Sequence, residues 1–173
     1  MKKLSDIKNT NELKRIWDKN SKLQYKVESW YIDDIYDYIA ECLDCFPSNS
    51  IDYEYGYGGG YNHVNCKDGY EEDFLNGVKE MQKMYGFLPD NINSVVDKAL
   101  NIYKNYNYED DAMSDELWVY IDDIEDSFTT TINEMLNNIA WNDIEDYFYD
   151  ILDNFDYLYV DDNGILYEFV SWE

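Results

Sequence analysis

From Asn105 to Glu173 the chain holds twenty Asp and Glu side chains and no Lys, Arg or His. Acidity of that density, taken alone, prescribes a disordered segment, because high net charge with little apolar surface does not offset the conformational entropy lost on folding. The same 69 residues also carry fifteen aromatic side chains, among them Trp118, Phe128, Trp141, Phe148, Phe155 and Trp172. A fold that accommodates both must bury rings along one face of each element and turn carboxylates to water along the other.

Helical spacing meets that requirement over most of the chain. Leu13, Ile16 and Trp17 predict a short amphipathic helix over Asn11–Lys19, capped by Thr10 or Asn11. Val27, Trp30 or Tyr31, Ile35, Ile39, Cys42 or Leu43 and Phe46 predict a longer one from Lys22 to Phe46, ended by Pro47. Phe74, Val78, Met81 and Tyr85 predict a helix over Tyr70–Tyr85 stopped by Gly86. Asp90 is the expected cap of a helix over Asn91–Tyr106, with Val95, Val96, Leu100 and Tyr103 as core positions. Ser114 is the expected cap of the next, with Trp118, Ile121, Ile124 and Phe128 on one face and Thr129–Thr131 as a weak point. Asn142 and Glu145 have the spacing of a capping box opening a helix to Asp153.

Two stretches change period. Ile51, Tyr53, Tyr55 and Tyr57 alternate before Gly58-Gly59-Gly60, predicting a Tyr/Gly-rich hairpin near 51–66. Tyr157–Val160, Asn163-Gly164 and Ile165–Trp172 predict a C-terminal hairpin. The expected class is α+β, a mainly helical single domain.

Charge divides the chain differently. Residues 1–28 carry a net +4, a basic helical N-terminal segment, and residues 29–173 form an acidic α+β body that brings the whole to −25. That lies far beyond the magnitude of roughly 2–8 that keeps a small domain soluble. Such a field favours cationic partners and makes nucleic acid and anionic membranes poor direct ligands. No apolar run approaches the roughly 18 residues of a membrane span, the N-terminus lacks an apolar signal region, and three cysteines do not make a disulfide framework. A cytoplasmic protein is expected, and a homodimer remains open.

The carboxylates fall in stripes. Asp143, Asp146, Asp150 and Asp153 share one predicted helix face, with Ile144, Phe148, Ile151 and Leu152 opposite. Asp33, Asp37, Glu41 and Asp44 form a second stripe, and Asp115, Asp122, Asp123, Glu125 and Asp126 a third cluster. Like charges at i,i+4 cost a helix roughly 0.2–0.5 kcal/mol per pair, so an ordinary solvated face would gain by interspersing Lys. Four residues of helix rise about 6 Å, a spacing comparable with successive phosphates, and such an array suits Lys/Arg sites built for a nucleic-acid backbone. These thirteen side chains are the candidate partner-binding residues.

Every cysteine and the sole histidine fall in one pattern, Cys42-x-x-Cys45 and His63-x-x-Cys66, whose spacing would suit a tetrahedral zinc site. Because Cys42 lies on an apolar helix face, buried thiols are the preferred reading and no cofactor is expected, with zinc as the alternative. Tyr159–Gly164 resembles part of an EF-hand calcium loop, but Tyr159 and Val170 stand where essential carboxylates belong, so a hairpin turn is expected. No nucleophile elbow, phosphate-binding loop or zinc-protease motif is present, and a non-enzyme is expected.

In charge, size, aromatic content and acidic stripes across residues 29–173, the chain resembles the DNA-mimic inhibitors of phages and mobile elements: ArdA- and Ocr-type anti-restriction proteins and acidic anti-CRISPR proteins. The resemblance lies in composition and charge pattern. It implies a non-catalytic inhibitor that blocks the DNA- or RNA-binding channel of a host defence nuclease, a CRISPR effector first and a restriction enzyme second. An immunity protein for a cationic nuclease toxin and a zinc-stabilised adaptor are the alternatives.

Overall fold

The computed structural model describes residues 1–54, 62–107 and 109–168. In chain order its elements are β1 (Lys2–Lys3), α1 (Thr10–Lys19), α2 (Ser21–Leu43), β2 (Ile51–Glu54), β3 (His63–Cys66), α3 (Glu71–Tyr85), α4 (Ile92–Lys104), α5 (Asp111–Asn137), α6 (Trp141–Asp150), β4 (Leu158–Val160) and β5 (Leu166–Glu168). The fold is α+β and mainly helical. Its residues group into two compact units, Met1–Ile35 with Ile139–Glu173, and Tyr36–Asn138, and α2 supplies residues to both.

In the first unit the basic N-terminal segment packs with the acidic C-terminal one. Leu13, Ile16 and Trp17 of α1 and Leu23 and Val27 of α2 share a core with Ile144, Phe148, Phe155, Leu158 and Val160. Trp17 stacks on Phe148 at 4.9 Å between ring centroids, and Trp30 on Phe155 at 5.1 Å. Lys26 donates to the Tyr157 hydroxyl at 2.6 Å. The limits of this unit therefore follow burial rather than the sign of the charge.

Its sheet has the order β1-β4-β5, antiparallel throughout, with Lys2 opposite Val160 and Tyr159 opposite Tyr167. The turn is longer than Asn163-Gly164 alone. Asp161 N–H donates to the Ile165 carbonyl, leaving Asp162–Gly164 as a three-residue loop with Gly164 at φ +81°, the left-handed conformation such a hairpin needs. The Asp161 carboxylate accepts the N–H groups of Asn163 and Ile165, each at 2.9 Å. The calcium-like residues thus form the turn, as their spacing predicts.

In the second unit β2 and β3 pair antiparallel from Ile51 opposite Cys66 to Glu54 opposite His63. The expected Tyr55–Tyr61 part of that hairpin lies outside the described residues, as do the residues expected to extend the C-terminal hairpin beyond Glu168. Leu117, Ile121, Ile124, Phe128 and Ile132 form the buried stripe of α5. Phe46 packs against Phe74 and Phe128 at centroid separations of 5.7 and 6.0 Å.

Several helix ends differ from expectation. Asn9 caps α1, accepting Glu12 N–H at 2.9 Å, in place of Thr10 or Asn11. Asp110 caps α5 through Ala112 and Met113, four residues before Ser114. Asp90 does not cap α4, whose N-terminal position is Asn91 without a side-chain bond. Asn142 and Glu145 form no capping box: α6 begins at Trp141 behind Ala140, and Glu145 instead accepts from Lys14 and Tyr149. Thr129–Thr131 lie inside α5 unbroken. Thr129 donates its hydroxyl to the Glu125 carbonyl, and burial of Phe128 and Ile132 on either side outweighs the modest β-branched penalty.

Candidate partner-binding surfaces

In the first unit Ile144 and Phe148 anchor α6 in the core, which turns Asp143, Asp146 and Asp150 to solvent. Asp153 is exposed too, but α6 ends at Asp150 and Asp153 belongs to a 3-10 turn, Leu152–Phe155. The expected four-member helical stripe therefore has three members. Burying Phe155 takes the chain out of α-helical rotation at this point. Asp33 on α2 also belongs to this unit and is exposed. Its neighbour Asp34 accepts a hydrogen bond from Tyr147.

In the second unit Asp37, Glu41 and Asp44 are exposed, with Asp44 just past the end of α2. Glu41 accepts from the Tyr85 hydroxyl at 3.1 Å. On α5, Asp115, Asp122, Asp123 and Asp126 are exposed.

Glu125 departs from the expected role. It is half-buried and accepts the backbone N–H of Cys66 at 3.0 Å, fastening β3 to α5. Burial, reinforced by a hydrogen bond with Asp122 and the charge of Asp126, pushes its carboxyl up to about 7. Glu125 is thus a structural clasp rather than part of a solvent-facing array. A helical wheel carried the signal: at 3.6 residues per turn Glu125 lies about 40° from Ile121, at the border of the apolar stripe.

Five ion pairs form among the described residues: Lys2–Glu12, Lys14–Asp18, Lys14–Glu145, Lys67–Asp52 and Lys79–Asp97. None involves a candidate residue. Among the described residues the twelve exposed candidates therefore face water without an internal ion-pair partner.

The Cys/His pattern does not close into a metal site. Among the described residues no three His, Cys, Asp or Glu side chains gather as ligands. Cys42 is fully buried, and loss of solvent pushes its thiol up to about 11. Cys45 contacts the Met84 sulfur at 3.7 Å. Cys66 lies 3.5 Å from the Lys67 carbonyl and its thiol is also raised by burial. His63 Nδ1 lies 3.5 Å from the Thr129 hydroxyl. Thiols raised by burial are poorly suited to supply thiolate ligands, which argues against the zinc alternative.

A small cleft of about 120 Å³ in the first unit, lined by Lys2, Glu12, Arg15, Asp161 and Asp162, was not signalled by the sequence. It carries both signs of charge. No helix among the described residues is long and apolar enough to cross a membrane. Comparison of the chain with protein-family models, with curated proteins and with solved structures gave no match.

Proposed function

We propose that this chain is a non-catalytic acidic inhibitor that presents carboxylates in place of nucleic-acid phosphates. It would occupy the DNA- or RNA-binding channel of a host defence nuclease in the bacterial cytoplasm, most readily a CRISPR effector and next a restriction enzyme. One observation carries the reading: twelve of the thirteen candidate carboxylates are exposed, and among the described residues none of them forms an ion pair with Lys or Arg. Unpaired like charges destabilise the helices that carry them, and an external set of cations would offset that cost.

The test is inhibition of purified CRISPR effectors and restriction enzymes, with fluorescent duplex DNA as competitor. Inhibition should be competitive with DNA and should weaken steeply as salt rises to about 0.5 M. Neutralising one face at a time, Asp143→Asn with Asp146→Asn and Asp150→Asn, or Asp37→Asn with Glu41→Gln and Asp44→Asn, should weaken it further. Inhibition indifferent to salt and to both sets of substitutions would eliminate electrostatic mimicry.

A further inference from the structure

We propose that the face of the second unit built by Tyr38 of α2, Cys45 just past the end of α2, and the end of α3 at Met84 is a docking site for an amphipathic partner segment that carries both apolar side chains and Lys or Arg. The inference rests on the cationic-partner reading above and specifies the chemistry of the segment.

The apolar part is exposed without an internal reason. On α3 the side chains of Phe74, Leu75, Val78 and Met81 are fully buried, yet Met84, one turn on from Met81, is 63% exposed. Tyr38 on α2 is 37% exposed, its ring 6.1 Å from those of Tyr85 and Phe87. Contact between the Cys45 and Met84 sulfurs, together with Tyr38 against Tyr85, makes one patch of two helix ends. Methionine adapts to irregular partners, and aromatics are the usual anchors of interfaces.

The border fixes the sign of the occupant. Glu41 reaches the Tyr85 hydroxyl, and Glu80, Asp44 and Glu41 all act on the Cys45 thiol, raising it beyond the effect of burial. All three carboxylates are exposed, and none has a cation partner among the described residues. An apolar surface with such a border admits a segment with apolar side chains along one edge and cations along its flanks, the pattern of a basic helix laid into a groove. A neutral or acidic helix would leave those carboxylates partly desolvated and unpaired.

Three synthetic peptides titrated against the full chain test this: Leu and Lys at amphipathic helical spacing, the same with Gln for Leu, and the same with Glu for Lys. The Leu/Lys peptide should bind at least about tenfold tighter than the Gln/Lys peptide, and the Leu/Glu peptide should not bind. The double variant Tyr38→Ser with Met84→Ser should reduce Leu/Lys binding to the Gln/Lys level and leave Gln/Lys binding unchanged, with far-UV circular dichroism confirming the fold. Met84→Lys gives an independent check and should weaken Leu/Lys binding by charge. Undiminished Leu/Lys binding to both variants would overturn the docking site while leaving the cationic-partner reading intact. Failure of both Lys-bearing peptides to bind would overturn both.

Discussion

Gly77 sits inside α3, where sequence-level reasoning favours replacing it: Gly→Ala in a helix interior stabilises by about 1 kcal/mol. The structure predicts the opposite sign. A Cβ at position 77 would overlap Cδ1 of Phe46 and stand 2.9 Å from its Cε1 and Cγ. Those atoms belong to a ring rather than to the tip of a flexible chain. Phe46 is buried and held by Phe74 and Phe128, so it has little room to retreat. Overpacking of a close-packed core costs about 1–3 kcal/mol. Set against the helical gain, Gly77→Ala should destabilise by up to about 2 kcal/mol, read as a lower urea midpoint with unchanged slope. The cause is tested by Phe46→Leu, which alone leaves a void but in the Gly77→Ala background removes the clash. The double variant should be more stable than the sum of the single effects predicts, by about 1 kcal/mol or more. A Gly77→Ala protein more stable than wild type, or a strictly additive double variant, would refute the packing argument.

Three further outcomes are expected. The Glu125 carboxyl is raised in the folded state, so its contribution to stability is present at low pH and is lost as pH rises through about 7. Wild type should therefore lose stability between about pH 5 and about pH 8 relative to Glu125→Gln, which keeps an acceptor for Cys66 N–H without the charge; parallel stability profiles would contradict this. Asp110→Ala should cost about 1 kcal/mol through loss of the α5 cap while Ser114→Ala should cost less, both read by urea unfolding. Cys45→Ser should change stability by less than about 1 kcal/mol, with or without a chelator, whereas a loss of several kcal/mol abolished by chelator would restore the zinc alternative.

Much of the fold was legible wherever one residue period extended over several turns. Leu13, Ile16 and Trp17, and likewise Phe74, Val78 and Met81, leave a helix a single side to bury, and the intervening carboxylates follow to the other side. Helix ends were less legible because several capping residues stand in a row, as in Asn9-Thr10-Asn11 and Asp110 to Ser114, and packing of the first apolar turn chooses among them. β1 left no trace, since two exposed lysines have no pattern and become a strand only because β4 is beside them.

Residue periodicity and composition were enough to set the sign and strength of the surface charge, the helical class and the exposure of most carboxylates, because helical rotation and the cost of burying charge leave no other arrangement. Tertiary structure alone decided that the basic N-terminus packs with the acidic C-terminal segment, and that His63 and the cysteines do not assemble a metal site. It also decided that Glu125, one carboxylate in the acidic run Asp122–Asp126, turns inward to hold β3. Those outcomes depend on which elements meet across long sequence separations, and local spacing carries no record of that.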